Sequence, residues 1–468
     1  MDQFSGVSMQ TDVVVLAAGK GTRMYSDIPK VLHSLAGKPM LTHVLDTVSS
    51  LDPQKIHLVT GFQSDLIKQH YAHSRYAQAV HWVEQTEQLG TGHAVMQAVP
   101  SINDDVMVLV LYGDVPLIKP ESLINLVTKA SQSGIAVLTL NTPKPFGLGR
   151  IIRDANQQII AIVEEKDAND EQRAISEINT GIMAFKASML KQWLGQLTTD
   201  NAQTEYYLTD AVAIAHASGV VVGYVQTSDA DEVQGINDRL QLTELERSYQ
   251  LRKARELAKS GVTIADTARL DIRGDLHIGR DTSIDVNVVF EGQNRLGNRV
   301  AVGPNVVIVN CEIGDDCHIL ANSHLENVVV QADCSVGPFA RLRPGTVLKA
   351  GAKIGNFVEI KKSTIGLGSK VSHLSYVGDA ELGALVNVGA GTITCNYDGV
   401  NKFKTTIKDG VFVGSNTALV APVTVGTNAT IAAGSVITSD VPDQDLAIAR
   451  GKQKNISGWK RPAKIKTE

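Results

Sequence analysis

The sequence predicts an α/β domain, then a long helix, then a parallel β-helix. Three observations support this. From about Thr11 to Asp231, apolar runs of strand length alternate with segments of helical spacing. A charged stretch over 236–260 carries apolar residues near helical spacing and ends at Gly261. After about Thr263, doublets of an aliphatic residue and glycine recur at intervals close to multiples of six.

Length and composition limit the class of protein. The chain has 468 residues, of which 43% are hydrophobic and 20% charged, which favours a soluble protein of two or three domains. The net charge of −5 gives no reason to expect a nucleic-acid partner. The chain opens without a signal-peptide pattern and has no apolar run near the ~18 residues of a membrane span. We therefore expect a cytoplasmic protein without a membrane partner.

The cysteines and the basic C-terminal tail have simple interpretations. Cys311, Cys317, Cys334 and Cys395 form no Cys-x-x-Cys pair and have no histidine at zinc-finger spacing, which predicts free thiols. The tail over 459–466 is basic, and we interpret it as a solvated terminus in preference to a phosphate-binding segment.

In the first half, four apolar runs predict strands. They are Asp12–Ala17, Ile56–Thr60, Val106–Leu111 and Ile135–Leu140. Helical spacing between them predicts helices over Met40–Ser49, Gly92–Val99 and Ser122–Ser131. Continuous apolar strands alternating with helices are typical of a mainly parallel sheet covered on both faces.

The second half repeats a six-residue unit. The doublets are Ile278-Gly279, Leu296-Gly297, Val302-Gly303, Ile313-Gly314, Val336-Gly337, Ile354-Gly355, Ile365-Gly366, Val377-Gly378, Leu382-Gly383, Val388-Gly389, Val413-Gly414 and Val425-Gly426. Each unit supplies a short strand and a corner, and three units complete one coil of a triangular prism whose interior holds the aliphatic residues. The interval of 25 before Val413 predicts an inserted loop.

The first predicted strand runs into a small-residue loop over 16–24, which contains Leu16, Ala17, Ala18, Gly19 and Arg23. Glycines there allow the backbone N–H groups to approach phosphate oxygens at the carboxyl end of a parallel sheet, and Arg23 and Lys30 add positive charge. The loop matches neither the Walker pattern nor the dinucleotide pattern. The alternative is a glycine-rich turn without a ligand.

Another strand ends in Tyr112, Gly113 and Asp114. An aspartate at a strand end can hold a hard cation that bridges phosphates. Such an aspartate is as often a helix cap or turn former, so the metal role depends on the phosphate loop being one strand away.

Three stretches of the β-helix depart from the repeat. The first carries Arg343 and Lys361, which could bind a phosphate or form a solvated face. The second carries His373, whose usual pKa suits a general base, although an isolated histidine is more often structural. The third is the interruption over 387–404.

The loop over 16–24, together with Pro29-Lys30, resembles the signature of the nucleotide-diphospho-sugar pyrophosphorylases, in their uridylyltransferase branch. The resemblance implies that Gln85 and the segment 88–92, with Gly90 and Thr91, read uracil. It implies a sugar pocket of Gly149, Glu164 and Asn179. It also implies that Asn237 joins Asp114 in holding one or two Mg²⁺ ions.

The order of the whole chain resembles the family of bifunctional N-acetylglucosamine-1-phosphate uridylyltransferase/glucosamine-1-phosphate acetyltransferases. The resemblance implies a uridylyltransferase domain over 1–235, a helical linker over 236–260 and a left-handed β-helix acetyltransferase over 261–468. The implied substrates are UTP, N-acetylglucosamine 1-phosphate, glucosamine 1-phosphate and acetyl-CoA, and the implied assembly is a homotrimer.

The same resemblance implies roles in acetyl transfer. His373 is the implied base, Arg343 and Lys361 hold the phosphate, and Tyr376 and Asn387 position the sugar. The implied acetyl-CoA contacts are Ala390, Asn396, Tyr397, Ser415, Ala433 and Arg450.

Two other functions fit parts of the sequence. One is a single-activity sugar-1-phosphate nucleotidyltransferase with a regulatory β-helix, and the other is a nucleotide-sugar sensor without chemistry. Asp114 and Asn237 argue against the sensor. A β-helix that only regulates is disfavoured by His373, Arg343, Lys361, Asn396 and Tyr397 together.

Overall fold

The computed structural model describes residues 10–464, which fall into two compact units divided between Tyr249 and Gln250. This division lies within the helix predicted over 236–260, which is present as Arg239–Lys259. Two sequence-based interpretations reach outside the described residues: the missing signal-peptide pattern concerns residues 1–9, and the basic tail continues past residue 464. The described part of that tail is exposed.

The described part of the first unit contains eleven strands, and nine of them form one sheet. The strands are β1 Thr11–Ala17, β2 Ser34–Leu35, β3 Lys38–Pro39, β4 Lys55–Thr60, β5 Val80–Glu84, β6 Met107–Tyr112, β7 Ile135–Asn141, β8 Arg150–Arg153, β9 Ile159–Val163, β10 Glu177–Lys186 and β11 Gly223–Thr227. The sheet order is β11-β7-β10-β6-β1-β4-β5, β8 pairs with β10, β9 pairs with β8, and β2 and β3 pair separately. Only β8, β9 and β10 run antiparallel to their neighbours in it, so the predicted mainly parallel sheet is confirmed.

Helices cover both faces of this sheet. They are α1 Met40–Ser49, α2 Ser64–Tyr71, α3 Thr91–Ala98, α4 Pro120–Ser133, α6 Ala187–Leu194 and α7 Asp210–Ala217. Two further helices among the described residues, α5 Asp170–Arg173 and α8 Arg239–Lys259, contribute no residue to the cores on these two faces. Successive residues of β1 alternate between two cores, because strand side chains point to opposite faces. Val13 and Val15 join the core that contains residues of α1, α2 and α4, and Val14 joins the core that contains residues of α3, α6 and α7.

The second unit is a parallel β-helix with three faces. The first face contains Thr263–Ile264, Ser283–Ile284, Ala301–Val302, His318–Ile319, Ser335–Val336, Lys353–Asn356, Lys370–His373, Asn387–Val388, Phe412–Val413, Thr430–Ile431 and Leu446–Ala447. Leu270–Ile278 and Val288–Leu296 begin the other two faces together. The second face continues with Val307–Val309, His324–Glu326, Arg341–Leu342, Glu359–Lys361, Tyr376–Gly378, Ile393–Cys395, Ala418–Val420 and Val436–Ile437. The third continues with Glu312–Ile313, Val329–Val330, Val347–Leu348, Thr364–Ile365, Ala380–Leu382, Thr405–Ile407 and Val423–Val425.

Successive coils pair in parallel and in register. Lys370 pairs with Asn387, and Asn387 pairs with Phe412, so one coil is longer by the loop that the sequence predicts. The aliphatic residues of the repeat point inward, as Val371 and Val413 show with no exposed surface. The fold class is confirmed as a parallel β-helix of hexapeptide repeats, and its left-handedness stays a prediction. All four cysteines are free, as expected.

No helix in the described part of the chain has the length and apolar character needed to cross a membrane.

A buried aspartate–histidine pair lies in the sheet of the first unit. His57 Nε2 on β4 is 3.0 Å from Asp12 Oδ2 on β1, and His57 has no exposed surface. Burial lowers the pKa of His57 and outweighs the opposing effect of Asp12. His57 therefore stays neutral in the folded chain at a pH where the unfolded chain is protonated.

This pair makes the stability of the first unit depend on pH. Because the folded pKa is lowered, the unfolded state binds more protons as the pH falls below about 6.5, and the free energy of unfolding should decrease by about 1.4 kcal/mol per pH unit from this group. Urea unfolding at pH 7 and pH 5 measures the decrease. His57→Gln should decrease less than the parent protein, and equal decreases would contradict the assignment.

Candidate functional site

The loop after β1 crosses directly over Lys30. Gly21 has a φ of 59°, and a Cβ added there would lie 2.7 Å from Lys30 Cβ. Glycine is therefore required at this crossing, because a side chain would meet both strain and a clash. At Gly19, an added Cβ would meet no described heavy atom within 4 Å, so the backbone is open to a ligand.

A cavity of about 360 Å³ opens beside this loop, at the carboxyl ends of β1 and β6. It is lined by Leu16, Ala17, Ala18, Gly19, Lys30, Val31, Gln85, Gln88, Gly90, Thr91, Ala94, Tyr112, Asp114, Glu205 and Asn237. The predicted residues Arg23, Gly113, Gly149, Glu164 and Asn179 do not line it. The structure adds Val31, Ala94 and Glu205. No motif in the sequence points to Glu205, because it is 115 positions beyond Gly90 in a loop without repeat or glycine signature.

Asp114 and Asn237 meet at one side of the cavity. The Ile236 N–H donates to the Asp114 carbonyl at 3.0 Å, which brings Asn237 next to the carboxylate. Lys30 Nζ forms an ion pair with Asp114 and lies 3.3 Å from Asn237 Oδ1. The ammonium group of Lys30 therefore interacts with both predicted metal ligands.

The oxygen atoms of Asp114 and Asn237 show whether a metal ion would fit between them. The described residues contain no cluster of three or more His, Cys, Asp or Glu suited to a metal ion. One carboxylate and one amide oxygen nevertheless fit Mg²⁺, which keeps several waters and is commonly completed by substrate phosphates. The residues therefore fit a magnesium ion that is held jointly with a phosphate ligand.

A second group consists of Gly149, Glu164 and Asn179, and Tyr112, which lines the cavity, interacts electrostatically with Glu164 of this group. The Asn179 N–H donates to the Gly149 carbonyl at 2.8 Å, and a Cβ at Gly149 would lie 3.3 Å from both Glu164 carboxylate oxygens. Thr209 Oγ1 donates to Glu164 Oε1 at 3.0 Å. Burial raises the pKa of Glu164, and burial with the charges of Glu164 and Asp114 raises the pKa of Tyr112. Tyr112 therefore lies within electrostatic reach of both predicted subsites.

The segment around Gly90 is shaped by close backbone contacts. Gly90 has a φ of 105°, and a Cβ there would lie 2.6 Å from the Tyr206 carbonyl. Gln85 Nε2 donates to the Gly90 carbonyl at 3.1 Å, and the Leu208 N–H donates to Thr91 Oγ1 at 3.1 Å. The loop before α7 thus holds the predicted uracil segment in place.

In the β-helix, the predicted base and acetyl-CoA residues form one column. Val371, Val388, Val413 and Ile431 are successive register partners on the first face. Two positions after these partners come His373, Ala390, Ser415 and Ala433, in that order along successive coils. Arg450 Nη1 donates to the Ala433 carbonyl at 2.7 Å and extends this series. An elongated acyl carrier could therefore contact all of these residues along one edge of the prism.

Cations gather on the second face. Arg343 and Lys361 occupy equivalent positions of adjacent coils, since Leu342 pairs with Ile360. The Lys402 amino group, from the inserted loop, lowers the pKa of Lys361 by its proximity. Three positive side chains in one region suit a phosphate group. The phosphate-binding residues predicted from the sequence did not include Lys402, and only its place in the inserted loop pointed to it.

The remaining predicted residues surround this region. A Cβ at Gly378 would lie 2.3 Å from the Tyr376 hydroxyl, so the tyrosine ring covers that glycine. Asn387 is paired with Phe412 on the first face. Asn396 is buried and its Nδ2 donates to Asp379, whereas Tyr397 is exposed and its hydroxyl donates to the Gly399 carbonyl.

Known proteins match both halves of the chain. Residues 13–180 match the MobA-like NTP transferase domain, and residues 404–439 match the bacterial transferase hexapeptide (six repeats). The chain is 57% identical to the bifunctional protein GlmU of Marinobacter nauticus, over 97% of this chain and 99% of that protein. For GlmU of Idiomarina loihiensis the identity is 55%, over 97% and 99% of the two chains. For GlmU of Pseudomonas putida F1 it is 54%, over 98% and 100%.

The chain belongs to the GlmU family of bifunctional proteins. It is a bifunctional enzyme with a nucleotidyltransferase half and a hexapeptide-repeat transferase half. The resemblance stated from the sequence is thereby confirmed, and membership of the GlmU family disfavours both the single-activity enzyme and the sensor.

A substitution at Gly181 tests whether the position of the Tyr112 ring matters for nucleotidyl transfer. Its φ is 82°, and an added Cβ would lie 2.4 Å from the Tyr112 ring. We expect Gly181→Ala to displace Tyr112 and to weaken sugar-phosphate use in nucleotidyl transfer at least tenfold in kcat/KM, without affecting acetyl transfer. Gly219→Ala is the control, because Gly219 also has a positive φ but its added Cβ meets no described atom within 4 Å. Equal kinetics for the two variants would contradict the role of Tyr112.

Proposed function

We propose that the chain makes UDP-N-acetylglucosamine in two steps. The domain over 261–468 transfers the acetyl group of acetyl-CoA to glucosamine 1-phosphate. The domain over 1–235 then transfers UMP from UTP to the resulting N-acetylglucosamine 1-phosphate and releases pyrophosphate, and residues 236–260 link the two. The observation that carries this proposal is that one GlmU-family chain contains both the cavity around Asp114 and the residue column of His373.

In nucleotidyl transfer, a phosphate oxygen of the sugar substrate attacks the α-phosphorus of UTP. The new oxygen–phosphorus bond forms as the bond to the β-phosphate breaks, so alignment and charge neutralisation matter more than a covalent residue. Lys30 and Arg23 would neutralise the phosphates, and the backbone of Leu16–Gly19 would surround them. Gln85 and the Gly90–Thr91 turn would hold the uracil, while Glu164 and Asn179 would bind sugar hydroxyls.

Asp114 and Asn237 would hold the magnesium. One or two Mg²⁺ ions bound with the nucleotide would neutralise charge on its phosphates. Lys30 forms an ion pair with Asp114, so this carboxylate would serve both the ammonium group and a bound ion.

In acetyl transfer, the amine of glucosamine 1-phosphate attacks the thioester carbonyl. The nitrogen–carbon bond forms, the carbon–sulfur bond breaks, and CoA leaves as the thiol after its sulfur takes up the proton that the nitrogen has lost. His373 would accept the amine proton, and Arg343, Lys361 and Lys402 would bind the sugar phosphate. Tyr376 and Asn387 would position the sugar. Ala390, Ser415, Ala433 and Arg450 would contact acetyl-CoA, whose thioester end would lie near Asn396 and Tyr397.

We also propose a homotrimer in the cytoplasm. The corners before and beside His373 expose Phe339, Phe357 and Leu374, with Phe339 and Phe357 stacked at 5.2 Å between ring centroids. Exposed apolar corners of a β-helix favour packing against a neighbouring copy. Analytical ultracentrifugation tests the trimer.

The first test of the two-site assignment is Asp114→Ala. We expect loss of UTP-dependent transfer by at least about a hundredfold, because one predicted metal ligand and the partner of Lys30 are removed together. Acetyl transfer should continue at the parent rate, which serves as the control for folding. Full nucleotidyl turnover by this variant would refute the metal role.

The reciprocal test is His373→Ala. Acetyl transfer should fall by about 10²–10⁴-fold, which is the usual contribution of a general base. Transfer of UMP to supplied N-acetylglucosamine 1-phosphate should be unchanged. A variant with the parent acetylation rate would remove His373 from the mechanism.

Substrate omission tests the complete reaction. With glucosamine 1-phosphate, acetyl-CoA, UTP and Mg²⁺, the protein should form UDP-N-acetylglucosamine, and leaving out any one component should prevent it. Product formed without acetyl-CoA would contradict the proposed order of the two steps.

A further inference from the structure

His373 forms a side-chain hydrogen bond that restricts which of its ring nitrogens carries the proton. His373 Nδ1 lies 2.8 Å from Oδ1 of Asn356. Asn356 is in the preceding coil, and the two residues are direct register partners of the strands Lys353–Asn356 and Lys370–His373. No sequence motif points to Asn356, because it is one whole coil away from His373 along the chain.

The β-helix is locally built to bring these two residues together. In the described first face, every strand has two residues except Lys353–Asn356 and Lys370–His373, which have four. Gly355 allows this extension, since a Cβ there would lie 1.9 Å from the Ser372 carbonyl oxygen. The backbones therefore approach closely immediately before Asn356 and His373.

The corners that follow hold the backbone of both residues. Phe357 and Leu374 have φ values of 56° and 50°, so each strand turns directly after its paired residue. The Leu374 N–H donates to the Asn356 carbonyl at 3.1 Å, and the Gly391 N–H donates to the His373 carbonyl at 3.3 Å. A positive φ costs free energy for a bulky residue, so the surrounding structure must stabilise the backbone of Phe357 and Leu374 in this conformation.

The amide oxygen determines where the imidazole proton resides. In this orientation of the Asn356 amide, Oδ1 faces Nδ1 of His373, and because a carboxamide oxygen can only accept a hydrogen bond, Nδ1 is the donor. A neutral imidazole has one N–H, and Nε2 is then left with a free lone pair. An uncharged partner also orients the ring without adding a negative charge that would favour the protonated form.

We propose that Asn356 is a positioning residue that holds neutral His373 in the Nδ1–H tautomer and presents basic Nε2 to the attacking amine. This inference rests on the proposed role of His373 in acetyl transfer. Asn356 acts through His373 and does not itself touch the reacting atoms. The proton taken from the amine goes to Nε2, and the Asn356 hydrogen bond at Nδ1 is kept throughout.

Two variants separate the acceptor from the rest of the side chain. Asn356→Leu removes the acceptor, and Asn356→Asp keeps an acceptor but removes the amide donor. The matched control is Asn298→Leu, because Asn298 also bridges adjacent coils, through Asp315, at a position several coils before His373. All are made in the full-length chain.

The first measurement is the tautomer itself. Nitrogen-15 solid-state NMR of the histidine-labelled protein reports which ring nitrogen is protonated, and the spectrum of His373→Ala identifies the signal of His373. We expect the Nδ1–H form in the parent protein, in Asn298→Leu and in any neutral His373 of Asn356→Asp. Asn356→Leu should show a substantial Nε2–H population.

The second measurement is the kinetics of acetyl transfer with glucosamine 1-phosphate and acetyl-CoA. Asn356→Leu should lower kcat about tenfold or more, which is less than the effect of removing the base itself, and should leave the KM values within about twofold. Asn356→Asp should retain most of kcat at a pH where its His373 is neutral. Asn298→Leu and all nucleotidyl transfer rates should stay at the parent values.

The outcomes are distinguishable. An Nε2–H tautomer in the parent protein, or an unchanged tautomer in Asn356→Leu, overturns the inference even if His373 is the base. Unchanged acetyl transfer in His373→Ala overturns the proposed function instead, whatever the tautomer. If Asn356→Leu does not fold, Asn356→Asp decides: because it can only accept, an inactive but folded Asp variant with a neutral His373 contradicts the role of Asn356.

Discussion

The hydrogen-bonded register between successive coils is the constraint on which the acetyltransferase half depends. Each strand pairs with residues one coil away, so a side chain is carried to the equivalent position of the next coil with little lateral freedom. This converts a sequence period into straight columns of side chains. The column of His373, Ala390, Ser415 and Ala433 exists because the inserted loop leaves the register intact on both sides of it.

The inserted loop shows how a regular β-helix can carry functional residues. It lengthens one coil without disturbing the pairing of Asn387 with Phe412, and it brings Lys402 next to Lys361. The core beneath stays filled by small aliphatic residues, so the corners and loops can vary while the interior remains packed.

In the nucleotidyltransferase half, the corresponding constraint is the convergence of strand ends at one edge of the sheet. β1 and β6 are parallel neighbours, so the loop after Ala17 and the carboxylate of Asp114 meet without further adjustment. Asn237 and Glu205 are supplied by later loops, and Lys30 by the turn before α1. These four polar side chains, three of them charged, therefore come from four separate segments, and each depends on the sheet for its place.

The sequence alone determined the period of six, the alternation of strands and helices, and the residue types at strand ends. These are local or strictly periodic signals, and they correctly predicted the two folds and the loop after Val388. Only the tertiary structure decided which distant residues meet: Glu205 beside Gly90, Lys30 between Asp114 and Asn237, and Asn356 against His373. Such contacts depend on the register of a coil or the path of a loop, and neither of these produces a periodic pattern in the amino-acid sequence.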